Sequence, residues 1–91
     1  MFIIISYDIV DDEKRNKIAN ILKDYGRRIQ YSVFECDINE KLFQELINKI
    51  KKAINEDEDS VIFFPLCELC KKKILFIGIK KSFEENSFYV F

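Results

Sequence analysis

The sequence predicts an α+β domain in which two helices cover one face of a mostly antiparallel sheet. Three observations carry this: short β-branched and aromatic runs alternate with amphipathic stretches, the first run is apolar throughout, and 91 residues leave room for one core.

Phe2-Ile3-Ile4-Ile5-Ser6-Tyr7 reads as a central strand buried on both faces, ending at Asp8. Asp11-Asp12-Glu13 are placed to cap a helix and meet its positive end, and Ile18, Ile21, Leu22 and Tyr25 follow at helical spacing. Gly26 is expected to stop that helix. Residues 28–38 regain strand character, with Ile29, Tyr31 and Val33 alternating with Gln30, Ser32 and Phe34, as one bent strand or two short ones. Asn39 caps a second helix whose apolar stripe is Leu42, Phe43, Leu46, Ile47, Ile50 and Ile54. The acidic run to Asp59 is expected to be a solvated loop. Val61–Phe64 forms a strand closed by Pro65, which suits an edge or a strand end. Ile74–Ile79 and Phe88–Phe91 are expected to be further strands. This order describes a ferredoxin-like βαββαβ sandwich with an extra C-terminal strand, one domain over residues 1–91. The apolar C-terminal segment, about 80–91, is available to pair with a partner protomer's sheet edge.

Composition points the same way. Apolar residues make up 48% of the chain, with nine Phe and four Tyr, more than so small an interior hides, so a homodimer is expected. No run approaches the ~18 apolar residues of a membrane helix, and no basic region precedes the first apolar run as in a signal peptide. Three cysteines are too few for a disulfide scaffold, and a cytoplasmic protein is expected. The net charge of −1 argues against a uniformly basic nucleic-acid binder. Basic residues instead cluster: six Lys or Arg against five acids in residues 1–34, four against eight in 35–60, and five against three in 61–91. The absence of histidine removes His triads, His acid–base pairs and His metal ligands together.

Several constellations have two readings. Asp8 either turns the chain or projects from a rigid strand end, where one carboxylate suffices for Mg²⁺ that keeps its waters and takes substrate phosphate oxygens. Lys14, Arg15 and Lys17 are either a solvated helix face or, with Arg27 and Arg28, phosphate-positioning groups. Cys67 and Cys70 have the spacing of half a zinc site, lack a histidine to complete it, and read as structural or incidental thiols. Lys71–Lys73 and Lys80-Lys81 either protect a sheet edge or face nucleic acid.

Taken together, Tyr7-Asp8-Ile9 at a strand end, Asp11-Asp12, Arg15-Asn16-Lys17 and Tyr25-Gly26 form a specific pattern with Arg28-Ile29-Gln30-Tyr31-Ser32-Val33-Phe34-Glu35 and Pro65-Leu66-Cys67. Over essentially the whole chain it resembles the small CRISPR-associated protein family of spacer acquisition, many members of which are described as metal-dependent endoribonucleases. The resemblance implies that Asp8 contributes to a divalent-metal site (Mg²⁺ or Mn²⁺) at a homodimer interface, with Tyr7 beside it in the catalytic motif. It implies substrate-backbone roles for Arg15, Arg28 and Phe34, with Ser32 in the same motif. Lys17 stands where some members carry a second arginine, keeping the charge but losing the bidentate fork.

The activity so implied is phosphodiester hydrolysis of single-stranded RNA, duplex DNA or both, dependent on divalent metal, with Arg15 and Arg28 offsetting developing charge. The implied partners are nucleic acid and the CRISPR integrase subunit. The rival expectation is a non-catalytic dimer that binds duplex DNA and bridges the integrase subunits, and a remoter one is a toxin-type ribonuclease of similar fold.

Overall fold

The computed structural model describes residues 1–78. Strand β1 (Phe2–Asp8) leads into helix α1 (Asp12–Lys23), the hairpin β2 (Gly26–Gln30) and β3 (Val33–Asp37), helix α2 (Glu40–Ala53), strand β4 (Ser60–Leu66) and the single-turn helix α3 (Glu68–Lys71). The sheet runs β2-β3-β1-β4, every adjacent pair antiparallel. Each long helix therefore links two strands that are kept apart by a third: β3 lies between β1 and β2, and β1 between β3 and β4. This is the ferredoxin-like arrangement expected from the element order.

β1 is central, as its composition predicts, but it is buried mainly on one face. Ile3, Ile5 and Tyr7 enter the core beneath the helices, with Ile18, Ala19 and Leu22 of α1 and Leu46 and Ile50 of α2. Ile4 and Ser6 are only partly covered, and Asp8 is exposed. Period-two alternation places Phe2, Ile4, Ser6 and Asp8 on the opposite, open face of the sheet. The register puts Val33, Glu35 and Asp37 of β3 and Ser60, Ile62, Phe64 and Leu66 of β4 on that same face. Phe64 is 45% exposed and Ile62 51%, so the apolar surplus read from composition is concentrated there.

The caps follow the expected chemistry. The Asp11 carboxylate accepts from the Lys14 N–H at 2.8 Å, and the Asn39 side chain accepts from the Leu42 N–H at 2.8 Å. Gly26, however, does not end α1 through a left-handed cap. The helix closes at Asp24 in ordinary right-handed conformation, and Gly26 opens β2 opposite Cys36. Its requirement is close approach: a side-chain carbon there would fall 1.9 Å from the Glu35 carbonyl oxygen.

Residues 28–38 are two strands, joined at Tyr31-Ser32, with a register irregularity between Arg28 and Gln30. That interruption breaks the single alternation read from sequence. Phe34 and Cys36 enter the core, whereas Tyr31 is 76% exposed. Pro65 lies within β4 rather than closing it, which an edge strand tolerates because the missing N–H has no ladder partner to lose.

The acidic loop is also less solvated than expected. Asp59 is buried, accepts from the Asn55 N–H at 2.9 Å, and pairs with Lys14 Nζ at 3.1 Å. The strand expected over residues 74–79 does not form within residues 74–78. Both sides of β1 are occupied by β3 and β4, and α3 turns the chain away after β4. The expected strand at residues 88–91 and the pair Lys80-Lys81 lie outside the described residues. Among the described residues, no helix is long and apolar enough to cross a membrane.

Because the Glu35 carbonyl belongs to the sheet and cannot yield cheaply, Gly26→Ala is expected to lower stability by roughly 2–4 kcal/mol. Urea unfolding should show an earlier midpoint at unchanged slope.

Candidate functional site at the end of the first strand

Four segments converge where β1 ends. Asp8 pairs with Ser60 at the start of β4, the hairpin turn Tyr31-Ser32 lies beside Tyr7, and the Ile9–Asp11 link leads into α1. The Tyr7 N–H donates to the Ser32 carbonyl at 3.1 Å, and the Tyr7 hydroxyl donates to the Tyr31 carbonyl at 3.2 Å. Backbone and side chain of one residue thus latch the hairpin to the strand that carries Asp8.

Asp8 projects from this support onto the open face. Among the described residues its carboxylate makes no hydrogen bond or ion pair, although Asp59, one residue before its strand partner Ser60, is fully engaged. An exposed, uncommitted carboxylate on a hydrogen-bonded strand is a hard oxygen donor held in place, which suits Mg²⁺ or Mn²⁺. No three His, Cys, Asp or Glu side chains among the described residues are grouped to hold a metal ion, so one protomer supplies fewer than three such donors here.

Arg15 reaches back to this end of the sheet. Its Nη1 donates to the Ile9 carbonyl at 3.1 Å and more weakly to the Val10 carbonyl at 3.4 Å, while Nη2 pairs with Asp12. The guanidinium therefore orders the two residues that follow Asp8. It remains partly exposed, and an arginine has five N–H donors, so it can also meet a phosphate at its outer edge. Lys14, its neighbour, holds Asp59 and so fixes the start of α1 against the start of β4.

Other residues expected at the site are placed differently. Tyr7 is buried on the core face and its hydroxyl donates to the Tyr31 carbonyl, so it lies beneath the strand end and not beside Asp8 on the open face. Phe34 is fully buried, its ring 6.3 Å from that of Tyr7, and cannot stack on a base. Arg28 faces the same side of the sheet as Phe34, its Cζ 5.2 Å from the Phe34 ring centroid, whereas Asp8 faces the other. Ser32 contributes its carbonyl to the latch. Lys17 is exposed on α1 and lines a shallow cavity of about 470 Å³ with Glu13, Asn16, Asn20, Ile21 and Asp24, none of which belongs to the Asp8 end of the sheet.

Sequence reading missed Tyr31 and Val10. Both are large and exposed, at 76% and 82%, and both belong to segments that flank Asp8. Tyr31 reads as a core position only if the alternation continues unbroken; the turn at Tyr31-Ser32 is what turns it outward.

The Asn55 backbone N–H first, and the Lys14 ammonium next, hold the Asp59 carboxyl below its usual value. A carboxylate so favoured stabilises the fold fully above its unfolded value of ~4, and that stabilisation is lost as pH falls through the folded-state value. The stability gap between the parent and Asp59→Asn, measured by urea unfolding, is therefore expected to be largest near neutrality and to narrow as pH falls from the ordinary carboxylate range through the lowered folded-state value.

Comparison with known proteins converges on one family. The family model described as CRISPR associated protein Cas2 matches residues 1–74. A CRISPR-associated endoribonuclease Cas2 of Chloroflexus aurantiacus is 37% identical over 90 residues, covering 99% of this chain and 97% of that protein. Another from Synechocystis sp. is 48% identical over 63 residues, covering 69% of this chain and 68% of that protein. Among solved structures, Streptococcus pyogenes Cas2 superposes with a TM-score of 0.79 at 26% identity, covering 86% of this chain and 100% of that one. The hypothetical protein TT1823 of Thermus thermophilus gives a TM-score of 0.79 at 32% identity, covering 88% and 93%.

Proposed function

The chain belongs to the CRISPR-associated protein Cas2 family, and from that premise we propose that it is a divalent-metal-dependent endonuclease that acts as a homodimer in CRISPR spacer acquisition. The observation that carries the reading is Asp8: an exposed carboxylate without a partner among the described residues, held at the end of a central strand whose neighbours are latched around it.

The open face supports the dimer. Ile4, Ile62, Phe64 and Leu66 line it along the length of β1 and β4, and an apolar sheet face of this kind is stabilised by burial against a second copy. A two-fold axis near the Asp8 end would bring two carboxylates together and supply the donor that one protomer lacks.

Mg²⁺ or Mn²⁺ bound there supplies Lewis acidity at the scissile phosphate. The protein's own contribution is placement. Asp8 offers the anionic donor, Tyr7 fixes the strand end through its two bonds to the hairpin, and Arg15 orders Ile9 and Val10 while presenting positive charge toward a phosphate backbone. With no histidine in the chain, protons lost and gained at the reacting oxygens are exchanged with solvent. Tyr31 and Val10 give the substrate an aromatic and an aliphatic surface beside the phosphate, and neither reads base edges. The nucleic-acid substrate, RNA or DNA, is thus held by its backbone, and the integrase subunit is the expected protein partner in acquisition.

Asp8→Asn should retain the fold and lose at least about a hundredfold in metal-dependent cleavage of single-stranded RNA and duplex DNA. Cleavage equal to the parent's would overturn the assignment of Asp8. The charged pair Ile62→Lys and Phe64→Lys should convert the dimer to monomer in analytical ultracentrifugation, with circular dichroism unchanged.

A further inference from the structure

Cys67 and Cys70 are exposed thiols that the proposed nuclease does not use. β4 ends at Leu66, Cys67 follows in extended conformation, and α3 then closes its single turn through a bond from the Lys71 N–H to the Cys67 carbonyl at 2.9 Å. The two cysteines therefore bracket one helical turn, a spacing that brings residues i and i+3 to the same side with Cβ atoms roughly 5–6 Å apart. A disulfide requires about 3.5–4.5 Å. Because Cys67 lies ahead of the helix in extended backbone, a local adjustment of that residue closes the gap without unwinding a long element.

We propose that Cys67 and Cys70 form a reversible dithiol–disulfide site that exchanges with low-molecular-weight disulfides of the glutathione class. Cys67 is the attacking sulfur. Its thiolate displaces one small thiolate from the oxidised reagent, giving a mixed disulfide on Cys67. The Cys70 thiol, its proton passing to solvent, then attacks the Cys67 sulfur and expels the second small thiolate. The protein pair is oxidised by two electrons, and one small disulfide is reduced to two thiols. Excess reduced thiol reverses both steps, as expected for an exposed disulfide.

The chemistry of the three cysteines divides accordingly. The neighbouring Cys70 backbone N–H, and then the Cys70 thiol, hold the Cys67 thiol below its ordinary value, while Cys67 pushes the Cys70 thiol up. Cys67, ahead of α3 in extended backbone, is the attacker, and Cys70, on the helical turn, is the resolver. Cys36 is buried, and burial first, with the charge of Asp37 next, pushes its thiol up to about 11, which keeps it out of exchange. A metal site is the weaker use of the pair, since two thiolates fall short of the four donors of a closed zinc site and no third donor is grouped with them among the described residues.

The test equilibrates the full chain in glutathione buffers of graded redox ratio, blocks free thiols with maleimide under acid quench, and maps the peptides by mass spectrometry. The expected result is a peptide holding both cysteines that lacks the two thiol hydrogens, with Cys36 blocked by maleimide. Cys70→Ser should accumulate the mixed disulfide at Cys67 at least about tenfold faster than Cys67→Ser forms one at Cys70. Independent glutathionylation of both thiols without an internal bridge would overturn the proposal. So would a bridge between chains, or oxidation of Cys36 at the same ratio. The parent chain alone gives the decisive reading, so misfolding of a variant does not blunt the test.

Discussion

The alternation along β1 is the constraint on which the rest of the structure depends. Ile3, Ile5 and Tyr7 anchor the core shared by both helices, and Ile4, Ser6 and Asp8 necessarily emerge on the other face. A shift of one residue would bury the carboxylate and expose three core side chains, so the register that makes the fold also fixes the site. Antiparallel pairing on both sides of β1 then leaves the strand no freedom to slide.

Around that strand, polar groups arrange the surroundings of Asp8 in layers of decreasing burial. Tyr7 ties down the hairpin from within, Lys14 and Asp59 join the start of α1 to the start of β4, and Arg15 orders the link that follows Asp8. Each of these groups makes a bond inside the protein. Among the described residues the Asp8 carboxylate makes none, and it stands exposed at the strand end.

Much of this was legible in the sequence, and the misses have physical causes. Strand and helix order as far as β4, both helix caps and the central position of β1 follow from local pattern, because propensity, periodicity and capping agree at those positions. Tyr31 lies exposed and Phe34 buried because the register irregularity between Arg28 and Gln30 and the turn at Tyr31-Ser32 interrupt the alternation, and no residue type there announces it. Gly26 carries the residue type of a helix stop, but its constraint comes from the Glu35 carbonyl of the neighbouring strand, nine residues on in sequence. Asp59 was hidden in an acidic run, since its burial depends on Lys14, forty-five residues earlier. Local rules do not reach such partners.

The pairing of β1 with β4 also bears on how the chain comes to be made. Phe2 meets Leu66 and Asp8 meets Ser60, so the strand that organises the core is synthesised ahead of the other described strands and is among the last to be completed. Until residues 60–66 emerge from the ribosome, one edge of an isoleucine-rich strand stays unpaired, the condition under which nascent chains associate wrongly. Long-range closure of this kind slows folding relative to a helical bundle of the same length. The hairpin of β2 and β3, already latched to β1 through Tyr7, protects the other edge earlier, so the vulnerable interval falls on one side of the sheet alone.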